Sequence, residues 1–79
     1  MMKTPLHEYE TVVLVHDLGY LPLKAGDVGA VVHVYPDDET FEVEFVTGEG
    51  KTVAVVTLTK DDIRSMHEQE IFHVRALTA

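Results

Sequence analysis

The residues of this chain best suited to act on another molecule are a pair of glutamates, five histidines and a few aromatic rings. Glu42 and Glu44 stand two apart in Phe41-Glu42-Val43-Glu44-Phe45, so on an extended strand both carboxylates share one face. Such a pair can do acid–base work where a concave, partly dry site drives the two pKa values apart. A small barrel fills its interior with side chains, which places these two glutamates on a solvated face. His7, His16, His33, His67 and His73 raise metal ligation, but no two have the i, i+4 spacing of a helical ligand pair, and His67 and His73 are six apart. A strand could bring His33 near a carboxylate such as Glu44. Ser65 is the only serine and has no nucleophile elbow around it. These residues therefore assign no catalytic position, no metal ligand and no cofactor, and the expectation is a protein that is not an enzyme.

Tyr20, Tyr35 and Phe72 could line an aromatic surface of the kind that grips extended peptides. Tyr20, Tyr35, Glu42 and Glu44 are accordingly the expected partner-facing residues. Gly26 and Gly29, with Asp27 between them, make no phosphate cradle, because the lysine, serine and following helix of that motif are missing. Gly26, Asp27 and Gly29 read instead as a structural turn. The stretch Lys24 to Tyr35 bends at its glycines and then enters a β-branched run, which favours a pleated strand.

Charge narrows the partners. Fourteen acidic residues against six basic ones give a formal charge of −8, which repels nucleic acid and anionic membranes. A basic protein partner suits this field better. Without cysteine there is no disulfide, thiolate nucleophile or cysteine-ligated metal. Met1 to Glu8 reads as a short leader with no apolar signal region, and no apolar run approaches the roughly 20 residues that span a bilayer. A cytoplasmic location is the expectation, with no membrane association.

The elements that must position these residues are short strands. The chain has 79 residues, 46% of them hydrophobic and only 8% aromatic. It is therefore expected to be one domain, residues 9–77, with a core of Val, Leu and Ile. Tyr9 is the first ring expected to pack. Glu10 to Val15 predicts the first strand, with Val12 and Leu14 inward. His16 to Gly26 predicts a long ordered loop whose Leu18, Leu21 and Leu23 tuck against the core. Along Val28 to Tyr35 the alternate set Val28, Ala30, Val32 and Val34 is uniformly apolar and is expected inward. Pro36 to Thr40 predicts a reversing turn. Phe41 to Phe45 predicts a third strand with Phe41, Val43 and Phe45 inward. Gly48 to Lys51 closes a hairpin into a strand over Thr52 to Leu58, whose inward set is either Ala54, Val56 and Leu58 or Val53 and Val55. The three middle strands form a meander. Thr59 to Arg64 predicts one helical turn capped by Thr59. Residues 70–77 fit either a fifth strand or a helix, and the strand is preferred. The sum is an all-β fold, a small five-stranded SH3-like barrel with one short helical turn before the last strand. Its last strand is expected to pair with the first and reduce the exposed edges.

Several stretches also resemble a known family. Thr11-Val12-Val13-Leu14, Asp17-Leu18, Leu23 through Tyr35, Glu42 through Val46 and Thr52 through Leu58 are similar to the small bacterial proteins grouped as the domain of unknown function 4926 family. The resemblance runs from about Tyr9 to Arg64. It implies the same small barrel and a prokaryotic origin, and it brings no catalytic or binding residues. A looser similarity links Gly26 through Val32 to the glycine-centred turn of ribosomal and transcription-factor barrels that bind RNA. Those domains are basic at the nucleic-acid site, whereas here only Lys24, Lys51 and Lys60 lie near the turns.

The function these observations point to is a non-catalytic protein-interaction module, an acidic accessory or antitoxin-like partner of another protein. Asp37, Asp38, Glu39, Glu42 and Glu44 are the charges expected to steer it. A nucleic-acid-binding barrel and a small metal-binding protein using His33, His67 or His73 are the alternatives. A homodimer hiding outward Val13, Val31 and Val46 is a further expectation.

Overall fold

The structure, a computed structural model, describes residues 6–19 and 21–66. Five strands, β1 (Thr11–Leu14), β2 (Val28–Val34), β3 (Thr40–Val46), β4 (Thr52–Thr59) and β5 (Ile63–Ser65), form one antiparallel sheet in the order β4-β3-β2-β1-β5. The middle three strands are the expected meander. The last described strand pairs with the first, Leu14 standing opposite Ile63. Among the described residues the sheet is nevertheless open, with β4 and β5 at its ends.

Alternation fixes most of the core. Phe41, Val43 and Phe45 are all buried, as are Val12 and Leu14 on β1 and Val56 and Leu58 on β4, with Ala54 packed beside them. The long loop between β1 and β2 adds Leu18 and Leu23, bridged to each other, and Leu21 packs against the same cluster. Leu6, inside the expected leader, packs there too.

The inward face of β2 is the reverse of the expected one. Gly29 and Val31 are buried, whereas Val28, Ala30 and Val32 are only partly so. Gly29 has no room for a side chain: a Cβ would lie 2.8 Å from Val43 Cγ1 and 2.9 Å from the Glu44 carbonyl oxygen. Glycine is there to let β3 approach. Val31 pairs with Val43 but His33 with Glu42, so Val32 is an extra residue at a bulge. The bulge resets the alternation, and Val34 alone of the expected set packs against the core.

Other expectations are corrected as well. No helical turn forms after Thr59. The Asp62 carboxylate bonds back to the Thr59 N–H and hydroxyl, closing a tight turn over residues 60–62. Ile63 then enters β5 at once, so the fifth strand described here comes earlier than residues 70–77, which lie outside the described residues. Val13 and Val31, expected outward, are buried, whereas Val46 is exposed. Tyr9, expected to pack, is 80% exposed with a left-handed backbone, and its N–H bonds to the Val31 carbonyl. Gly26 has φ +93°, the left-handed value the expected turn needs, and its N–H donates to the Leu14 carbonyl.

Candidate functional site

The outer face of β2, β3 and β4 gathers three of the four expected partner-facing residues. Asp37 sets the frame: its carboxylate accepts from the Glu39 and Thr40 N–H groups and the Thr40 hydroxyl, which holds its pKa below the ordinary value and closes the β2–β3 turn. The hairpin register then sets His33 and Thr57 on either side of Glu42, and Val55 beside Glu44.

Glu42 is the centre of this face. Its Oε2 accepts hydrogen bonds from the Tyr35 hydroxyl at 2.5 Å and from the Thr57 hydroxyl at 2.6 Å. The two donors converge on one oxygen, and Oε1 has no partner among the described residues. Glu44 repeats the arrangement one step along, its Oε2 accepting from Thr52 at 2.7 Å. His33 lies edge-on to Tyr35, ring centres 4.8 Å apart, and opposite Glu42 rather than Glu44. Along the strand the two carboxylates recur about every 7 Å, twice the rise per residue. Among the described residues no lysine or arginine is paired with either of them.

Proton positions on this face are fixed by those bonds. Thr57 and Tyr35 stabilise the ionised form of Glu42 and lower its pKa, while bonding to that carboxylate raises the pKa of Tyr35. The two groups move in opposite directions away from neutrality. At neutral pH the face therefore presents a fixed carboxylate and a neutral phenol, a pair suited to holding a cation.

A second cluster lies where the β1–β2 loop meets the β4–β5 turn. His16 Nε2 is 2.7 Å from Asp62 Oδ1, and its Nδ1 is 2.9 Å from the Asp17 carbonyl. Both ring nitrogens thus face acceptors, which only the doubly protonated ring satisfies at once. The bond to the Asp17 carbonyl, then the Asp62 carboxylate, raise the His16 pKa. The Thr59 N–H, followed by the His16 ring, lowers that of Asp62. Asp17 in turn accepts from the Ala25 N–H, tying the loop back on itself.

Of the sequence-expected residues, Tyr35, Glu42 and Glu44 come together, and Tyr20 lies outside the described residues. Gly26, Asp27 and Gly29 sit at the β1–β2 loop exit, where Asp27 accepts from the Lys24 N–H. The sequence reading missed Thr57, whose signal was its outward parity on β4 opposite Glu42, and Thr52, which has the inward parity of Ala54 and Val56 and comes to the outer face only through the register shift that leaves Val53 unpaired. It missed the His16–Asp62 contact as well, which no local spacing announces. Among the described residues, no group of three or more His, Asp or Glu side chains could hold a metal ion, and no helix is long and apolar enough to cross a membrane.

Neither the curated proteins nor the solved structures contain a match to this chain. A family model does match: residues 8–65, all five strands included, fit the family described as Domain of unknown function (DUF4926). The chain belongs to that family.

Proposed function

We propose that this chain is a non-catalytic protein-interaction module, an acidic SH3-like barrel that holds a basic segment of another protein against the outer face of its central strands. The observation that carries this reading is the Tyr35–Glu42–Thr57 arrangement, in which two hydroxyls fix one carboxylate oxygen and leave the other without a partner among the described residues, two positions from Glu44. A preset carboxylate lowers the entropy lost when a guanidinium or ammonium group binds, and charge-assisted bonds to such groups are the stronger kind. Opposed pKa shifts at Tyr35 and Glu42 argue against proton transfer, since a general base works best near the operating pH. The five-strand order, the pairing of β5 with β1 and the long first loop support the SH3-like description. The net charge of −8 supports a basic partner over nucleic acid.

The test is affinity capture from the native cell lysate with the wild-type chain and with a Glu42→Gln/Glu44→Gln variant, at low and high salt. A stoichiometric basic protein, retained at low salt, released at high salt and lost with the variant, is the expected result. Equal recovery by both proteins contradicts the reading, and recovery abolished by nuclease transfers it to nucleic acid.

A further inference from the structure

Strand β4 ends the sheet with eight residues, Thr52-Val53-Ala54-Val55-Val56-Thr57-Leu58-Thr59, none of them charged, proline or glycine. Sheet edges are ordinarily protected by charge, proline or brevity. The strand at the other end, β5, has three residues and carries Arg64. β4 has none of these protections, and the one irregularity of the strand, the extra residue Val53 opposite the Phe45–Val46 step, lies before the stretch from Ala54 to Thr59.

Its backbone is aimed outward at defined positions. Lys60 donates its N–H to the Glu39 carbonyl at 3.0 Å, which fixes the alternation of the antiparallel ladder. Leu58, Val56 and Ala54 therefore turn their amide groups to β3, opposite Phe41, Val43 and Phe45. Val55, Thr57 and Thr59 turn theirs away. The Thr59 N–H is met by Asp62 Oδ2 at 2.8 Å, which agrees with that direction and closes this end of the edge. Among the described residues, nothing pairs with the two N–H and two C=O groups of Val55 and Thr57, the main-chain pattern to which an extended segment adds as a new strand. The Val55 side chain, 54% exposed, lies at the middle of this edge.

Charge selects the occupant. Val55 stands opposite Glu44 and Thr57 opposite Glu42. A strand added outside β4 would lie two strand spacings from the glutamates, roughly 10 Å. Lysine or arginine stems can lie along the methyl groups of Val55 and Thr57 and deliver their charged heads to Glu44 and Glu42. Residues on one face of the added strand also repeat every second position, about 7 Å, the spacing of the two glutamates. A second copy of this chain offers no cation from its own β4 and adds another −8 of charge.

We infer that the outer edge of β4 is a strand-docking site for an extended segment of a partner protein bearing lysine or arginine at alternate positions. This rests on the acidic-face reading and adds to it the place and backbone geometry of the contact.

The test titrates the isotopically labelled full chain with a seven-residue capped peptide carrying arginine at alternate positions and threonine or valine between. A second peptide of the same sequence is N-methylated on the residues that would pair with β4, keeping every charge and losing the backbone donors. The expected result is slowed amide exchange at Val55 and Thr57 with the first peptide only. The Glu42→Gln/Glu44→Gln variant should bind it roughly tenfold more weakly. Equal binding of both peptides, without protection at Val55 and Thr57, overturns the strand-docking inference and leaves the acidic-face reading standing. If the double variant binds the first peptide as well as the wild type does, the acidic-face reading fails too. A concentration-dependent dimer with Val55 and Thr57 already protected in the free protein also overturns the inference, because a second copy then occupies the edge.

Discussion

Asp62 and Glu42 are both carboxylates that accept from a threonine and from a ring, yet they do opposite work. At Asp62 both oxygens are used inside the chain, Oδ1 by His16 and Oδ2 by Thr59, and the contact joins the β1–β2 loop to the β4–β5 turn. At Glu42, in the middle of the sheet, both donors share Oε2, and Oε1 has no partner among the described residues. Two similar hydrogen-bond sets thus give a clamp in one place and, in the function proposed above, a receptor in the other. What separates them is the count of acceptor positions consumed, which neither residue type nor exposure reveals.

The largest expected effect sets the scale for both regions. Gly29→Val puts a side chain against the Glu44 backbone, which cannot move without lifting β3 from β2. It should cost about 3 kcal/mol or more, read as a fall in the urea midpoint, and should disturb clamp and face together. Asp62→Ala comes next. It frees the Thr59 N–H and releases His16, and about 1–2 kcal/mol of stability should be lost, while amide signals around Glu42 and Glu44 stay in place. Shifts spreading across that face would erase the distinction between the two regions.

Acidity sharpens the comparison further. The raised His16 pKa means that its contribution is full below the ordinary histidine value, about 6.5, and disappears as pH rises through the folded value. Asp62, with its pKa lowered, contributes fully above the ordinary aspartate value, about 3.9, and loses this as pH falls through the folded value. The clamp is therefore complete between those two limits. The melting temperature of the wild type should decline as the pH rises past histidine titration, and Asp62→Ala should flatten that decline. An unchanged slope in the variant would mean that His16 does not titrate against Asp62. The smallest effect on stability belongs to Glu42→Gln, whose amide oxygen still accepts from Tyr35 and Thr57. Its urea midpoint should move by no more than about 0.5 kcal/mol.

Much of this was legible in the sequence where the alternation was clean. Phe41-Glu42-Val43-Glu44-Phe45 announces which side chains are inside and which share the outer face, and the structure agrees. The run from Val28 to Val34 carries no such contrast, since almost any parity of it is apolar. There the deciding facts are the close approach of β3 to Gly29 and the bulge at Val32, both tertiary. β5 is too short for any period, and the turn before it is made by Asp62 reaching back to Thr59, a side-chain bond that competes with helix. Tyr35, Glu42 and Glu44 could be named from residue type, but their assembly with Thr57 required the register of two hairpins. The His16–Asp62 clamp joins residues 46 positions apart and has no local signature.

The central claim is that the Glu42–Glu44 face, and not the His16–Asp62 clamp, receives the partner. The measurement that tests it most directly is the affinity of the arginine-bearing peptide for the wild type, Asp62→Ala and Glu42→Gln, taken beside the urea midpoint of each. Asp62→Ala should be less stable and bind as the wild type does, whereas Glu42→Gln should be as stable and bind more weakly. Binding lost with Asp62→Ala while folded, and retained with Glu42→Gln, would contradict the account.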